Sequence, residues 1–193
     1  MKSDTISYKN IYYPPGGILL WIIIFLELFT FGIALIAMVY SSKEAPELFH
    51  ESRLYLNSTI GVVNTFFLIV SGFFMAVSVH NLKQQKLDKT KLFLKLTMLG
   101  GLLFLALKGY EYFDKIDAGF NIGYNTFFKY YWMLTLFHVV HVIVGLVILA
   151  SVYFGLSKTN STTKLEDVEA SAAFWHMCDL IWLLLFPIIY LLF

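Results

Sequence analysis

The sequence predicts an all-α, polytopic membrane helix bundle: one domain over residues 1–193, five transmembrane helices, N-terminus inside and C-terminus outside. Five apolar runs, each long enough to cross a bilayer (~20 residues suffice), alternate with short polar segments. The chain is 59% hydrophobic and 18% aromatic, with a mean hydropathy of +0.72, which no soluble domain of this size matches. Lysine and arginine also fall unevenly on the two sides the runs define, nine against five, and the richer side is cytoplasmic by the positive-inside rule.

A polar, tyrosine-rich leader, Met1 to Tyr13, ends in the turn Pro14-Pro15-Gly16-Gly17. No small-residue cleavage site follows the first apolar run, so the sequence gives no sign of a cleaved signal. The first span, residues 18–40, is interrupted by one charge, Glu27. Residues 41–58 form a charged loop. The second span, 59–79, contains Gly61, Asn64, Thr65, Ser71 and Gly72, small or weakly polar residues that let helix backbones approach in lipid. A lysine-rich segment, Asn81 to Lys91, precedes the third span, 92–110. Residues 111–126 form an outer loop, 127–155 the fourth and longest span, 157–169 a hydrophilic loop and 170–193 the fifth span. The side with nine basic residues holds Lys2, Lys9, Lys83, Lys86, Lys89, Lys91, Lys95, Lys158 and Lys164. Loops this short leave no room for a separate soluble domain.

Net charge is +1, so nothing suggests a nucleic-acid partner. The single cysteine, Cys178, excludes an internal disulfide and any cysteine-rich metal site; in an apolar helix it reads as a small buried side chain. The informative residues are ionisable ones inside the spans, because charge there is costly unless paired. Glu27 lies near the midplane, about ten residues into its helix at ~1.5 Å per residue. His138 and His141 lie near the middle of the fourth span, and His176 and Asp179, three apart, share a face of the fifth. Glu111 stands at the outer end of the third, with Lys108 one turn before it.

Three chemistries fit such groups. Histidines on two helices could ligate a haem or a metal, but histidines three apart cannot bind opposite faces of one haem, and no soft ligands accompany them. Carboxylates and histidines can relay protons, but these do not form a ladder from side to side. They can also hydrogen-bond helices together, each tie contributing roughly 0.5–2 kcal/mol. There is no phosphate loop, nucleophile elbow or H-E-x-x-H motif. A midplane carboxylate needs a partner, and by depth His138 and His141 both stand close to Glu27; His141 is the expected partner, holding the first span to the fourth. Asp179 and His176 are expected to tie the fifth span to its neighbours.

From about Gly17 to its end, the chain resembles subunit III of the haem–copper oxidases. Glu169-Ala-Ser-Ala-Ala-Phe-Trp-His-Met-Cys-Asp-Leu-Ile-Trp182 is similar to the family's E-A-A-A-x-x-W-H-x-x-D-x-x-W. Phe137-His-Val-Val-His-Val-Ile-Val-Gly145 resembles F-H-x-x-H-V-x-x-G, Glu111-Tyr-Phe and Thr126-Phe-Phe resemble E-Y-F and T-F-F, and Asn64-Thr65 followed by Ser71-Gly72 resembles L-N-T…S-G. Glu27 stands where the family keeps an intramembrane glutamate. Single elements are weak, but their order and spacing are specific.

The resemblance implies a non-catalytic subunit of a respiratory terminal oxidase in the bacterial cytoplasmic (inner) membrane. It would pack on subunit I, with subunit II in the same complex, and support oxygen reduction and proton uptake. It implies no cofactor in this chain, with haems and copper in the partner subunits, and allows bound phospholipid. Long family members have seven helices, and their lipid cleft involves the first two, which this chain does not show. The residues it implicates are the polar cluster Glu27, His138, His141, Glu169, His176 and Asp179, and the packing residues Asn64, Thr65, Gly145, Trp175 and Trp182. The alternatives are an accessory subunit of a nitric oxide reductase and, in a different class, a b-type haem membrane anchor.

Overall fold

The computed structural model describes residue 14, residues 16–158 and residues 163–193; the leader and part of the last hydrophilic loop lie outside the described residues. The described residues form six helices and no strand: α1 (Gly17–Glu44), α2 (Pro46–Leu54), α3 (Ser58–Lys83), α4 (Leu87–Asp117), α5 (Thr126–Ser157) and α6 (Leu165–Tyr190). Five of them, all but α2, are long and apolar enough to cross a membrane.

The boundaries follow local chemistry. Asn57 caps α3, its side-chain oxygen accepting from the Thr59 and Ile60 amides at 3.0 and 3.3 Å, and Asn125 caps α5 through the Phe128 amide at 2.9 Å. Asp167 accepts from the Lys164 amide at 2.8 Å at the start of α6. Gly16 turns the chain into α1 with φ +81°, and a Cβ there would lie 2.8 Å from that of Ala170, so glycine is needed for both backbone and space.

Two expected loops are corrected. Within residues 41–58 lies α2, opened by Pro46 at its first position, where a missing amide hydrogen costs nothing. The outer loop expected from Glu111 begins only at Ala118, because α4 continues to Asp117. Hydropathy ends a span where charges begin, but Glu111 finds its partners inside the bundle, so the helix goes on. The same holds for 81–91, which is helical except for a tight turn centred on Gln85, at φ 61°.

Consecutive spans are antiparallel. Ser78 and Ser71 of α3 donate to the carbonyls of Thr90 and Thr97 of α4, at 3.0 and 2.8 Å. Around α6 the other spans run in the order α1, α5, α4, α3, and α6 packs directly on α1, α3 and α5. More than half of the α6 span is buried, against a third or less of each other span. Its inner face carries Trp175, which fits between Gly101 of α4 and Gly145 of α5 and donates through its indole to Ser71 Oγ at 3.1 Å. Trp182, two turns on, donates to Thr65 Oγ1 at 2.9 Å. Small residues thus admit large rings, and each buried indole N–H has an acceptor.

A Cβ built on Gly101 falls 2.6 Å from the fully buried Trp175 ring, whereas one on Gly109, also in α4, meets nothing within 4 Å. Gly101→Ala is therefore expected to lower stability by about 1–3 kcal/mol, and Gly109→Ala to leave it unchanged or slightly raised. Thermal unfolding of the purified chain in mild detergent, followed by circular dichroism, reads both; equal midpoints would refute the tight packing.

Candidate functional site: polar clusters inside the bundle

Glu27 of α1 and His141 of α5 come together, Oε2 to Nε2, at 3.2 Å. The other ring nitrogen, Nδ1, lies 2.8 Å from the Phe137 carbonyl. A carbonyl only accepts, so Nδ1 carries a proton and Nε2 is turned to the carboxyl group. At 3.2 Å the two groups are within ion-pair range, although Oε2 makes no well-aligned hydrogen bond among the described residues. Phe31 and Phe137 close around the ring, with centroids 5.7 and 4.6 Å away.

His138, one turn before His141, does not share this site. It is fully buried, stacked on Trp182 with centroids 5.4 Å apart, and meets the edge of Phe104 at 5.6 Å. Neither ring nitrogen has a hydrogen-bond partner among the described residues, and the same is true of both side-chain atoms of Asn64, also fully buried. Trp182 and Phe104 occupy the space beside the imidazole that a haem would need, so His138 does not fit an axial ligand.

At one end of the bundle, Glu169 of α6 pairs with Lys83 of α3 at 2.7 Å. Further along α6, His176 Nδ1 lies 3.4 Å from Asp179 Oδ2. The sequence reading has this pair tying α6 to its neighbours. Instead it closes within α6, and what reaches α3 is packing: Asp179 Oδ2 sits directly on Gly72. His176 is not interior, since its side chain is 45% exposed.

The most densely connected cluster is one that the expected polar cluster omits. Lys108, fully buried in α4, lies 3.2 Å from Glu111 Oε2, 2.6 Å from the Tyr190 hydroxyl and 3.4 Å from the Tyr131 hydroxyl. Both tyrosines donate to Glu111 Oε1, at 2.7 and 2.6 Å. The rings of Tyr112, Tyr131, Trp182 and Tyr190 stand 4.9–5.4 Å from the ammonium, close enough for cation–π attraction. One ion pair thus binds α4, α5 and α6. The C-terminal end of α6 is also held from outside: Arg53 Nε and Ser58 Oγ donate to the Tyr190 carbonyl at 3.1 and 3.3 Å. Its sequence signal was the charged pair three apart at a span's end; the tyrosines lie 20 and 79 residues away, where spacing gives no hint.

Lys108→Met would strand the Glu111 carboxylate in a dry interior, at a cost of about 3–5 kcal/mol, whereas replacing both ions by apolar residues often costs far less. The double variant Lys108→Met/Glu111→Leu should therefore melt above the single one in detergent. A single variant as stable as the wild type would show that the pair does not hold the bundle.

These clusters coincide with a family match. The model of the family described as cytochrome c oxidase subunit III matches residues 17–192. Cytochrome bo(3) ubiquinol oxidase subunit 3 of Buchnera aphidicola is 26% identical over 174 residues, covering 89% of this chain and 84% of that protein. Cytochrome c oxidase subunit 3 of Rhipicephalus sanguineus is 33% identical over 132 residues, 68% of this chain and 50% of the relative. Probable cytochrome c oxidase subunit 3 of Rickettsia conorii is 30% identical over 135 residues, 68% and 47%. The matched stretch thus spans about half of these two cytochrome c oxidase relatives and most of the ubiquinol oxidase one. Neither the nitric oxide reductase reading nor the haem-anchor reading is favoured by these matches. With the match running from the first helix to the last, this chain belongs to the cytochrome c oxidase subunit III family and is a non-catalytic, multi-pass membrane subunit of the haem–copper oxidases.

Proposed function

We propose that this chain packs on the catalytic subunit of a terminal oxidase in a bacterial cytoplasmic membrane, with subunit II in the same complex, and sustains proton uptake while that subunit reduces oxygen. The haems and copper then reside in the partners. The family match over residues 17–192 carries this reading. The interior agrees with it: Glu27, Lys108, Glu111 and Glu169 are paired within the bundle, and His138 is wedged between rings.

The N-terminus is placed in the cytoplasm. Besides the count of basic residues, two contacts support it, since they gather the lysine-rich segments at one end: Lys83 with Glu169, and Lys95 over the ring of Tyr153 at 5.4 Å. A reporter inserted at Gln85 should then read as cytoplasmic and one fused after Phe193 as periplasmic; the reverse pattern discards the orientation.

Within the assembly, Glu27 and His141 fasten α1 to the rest. Glu27→Gln keeps a donor for Nε2 and should assemble normally, yet shorten the oxidase's working life or slow proton uptake. Glu27→Leu leaves an imidazole nitrogen unpaired, at about 1–3 kcal/mol, and should loosen the subunit from its complex. Tagged chain purified in mild detergent should bring down oxidase subunits I and II and their haem spectrum. Recovery with nitric oxide reductase subunits, or of the chain alone, would overturn the assignment. Wild-type turnover of a fully assembled Glu27→Leu oxidase would remove both roles from the carboxylate.

A further inference from the structure

We propose that the furrow between α1 and α3, floored by the His176, Leu180 and Leu183 stripe of α6, seats a transmembrane helix of another oxidase subunit that carries a hydrogen-bond donor at the depth of His176. The proposal rests on the reading of this chain as part of an assembled oxidase, and says which face of it the assembly uses.

The ring of spans around α6 has a gap. α1 packs on α5, α5 on α4 and α4 on α3, but among the described residues no packed α1–α3 interface closes the circle. Through that gap α6 shows His176, Leu180, Leu183 and Pro187, spaced three or four apart and therefore on one face. The α3 wall is placed by its neighbours: Ser71 turns to α4 through the Thr97 carbonyl and Gly72 to Asp179, so Ile69 and Phe73, exposed at 51% and 62%, fall on the side of the furrow. On α1, Glu27 turns to α5; Gly32, five residues on and about 140° round the helix, is on the other flank, and a Cβ there would meet nothing within 4 Å. A small residue facing open space lets a neighbouring backbone come close in a membrane.

The polar pair decides the occupant. Ionisable residues in spans turn inward or toward water, and here the side chains of Glu27, His141, Lys108 and Glu111 do so, none more than 20% exposed. His176 is the exception at 45%, beside a run of apolar surface. Its Nδ1 is engaged by the Asp179 carboxylate, which as an acceptor places a ring proton on that nitrogen; in the neutral ring Nε2 then keeps a lone pair, with no partner among the described residues. Hydrocarbon offers no donor. An apolar helix bearing one hydroxyl, amide or indole N–H supplies what the site lacks, and Ile69, Phe73, Leu180 and Leu183 give it apolar flanks.

The test places a photoreactive benzophenone side chain at Leu180 in the intact oxidase, with Leu102, exposed on α4 across the bundle, as the control. Light should join this chain to another oxidase subunit from position 180 and not from position 102. In parallel, His176→Leu should reduce the fraction of this chain recovered with the complex by about three- to thirty-fold, the effect of one interhelical hydrogen bond in a membrane, while His176→Asn largely restores it. If the oxidase still co-purifies but position 180 labels lipid or this chain alone, the furrow is not the docking face, and the subunit assignment stands. If no oxidase subunit co-purifies at all, the assignment itself falls, and the proposal with it.

Discussion

An ammonium and a carboxylate sealed inside a lipid-embedded protein set the terms for the rest of this fold. Lys108 and Glu111 are each about 1% exposed, and removing two such ions from water costs several kcal/mol apiece unless their remaining hydrogen-bonding capacity is met. Tyr131 and Tyr190 meet it, and they come from two other helices. The register of α5 against α4 and the length of α6 are therefore constrained by a single polar knot. The aromatic rings around the ammonium exclude water and offer it their negative faces.

Along the rest of the bundle the same constraint is met differently. The inner tryptophans of α6 each hand an indole proton to a hydroxyl on α3, and those hydroxyls pass their own to backbone carbonyls: Ser71 to Thr97, Thr65 to Gly61. Helix contacts in lipid gain little from hydrophobicity, because lipid tails are as apolar as leucine. Shape and these short relays do the joining. His138 and Asn64 depart from the pattern, buried without hydrogen-bond partners, His138 stacked on Trp182 where that ring meets Phe104 edge to face.

The spans, their number and their helical nature were legible because each apolar run exceeds the bilayer's needs. Helix ends were not. Glu111 and Asp114 looked like the beginning of a loop, and nothing local announces that a glutamate will be covered by a tyrosine 79 residues later. Depth brought Glu27 to the level of both His138 and His141 but could not choose between them, because that depends on which way each ring faces; the 3.2 Å approach is to His141. His176 was misjudged for a related reason: spacing puts it on one face with Asp179 but cannot say whether that face looks in or out, which depends on a gap between two other helices. The order of motifs carried the family assignment better than any single contact.

That α6, the helix at the centre of the bundle, follows the other four spans in the chain has a consequence for how the protein is made. While the ribosome is still producing the fifth span, the four earlier ones have no common partner. Ser71 and Thr65 await their indoles, the glycines at 101 and 145 face a void where Trp175 will lie, and Lys108 and Glu111 have one of their two tyrosines. The α3–α4 hairpin, with its two serine-to-carbonyl bonds, can form beforehand. The joints to α6 must wait until Trp175, Trp182 and Tyr190 arrive and Arg53 closes over the Tyr190 carbonyl. The core of this bundle is thus completed by a span that is made after the four it joins.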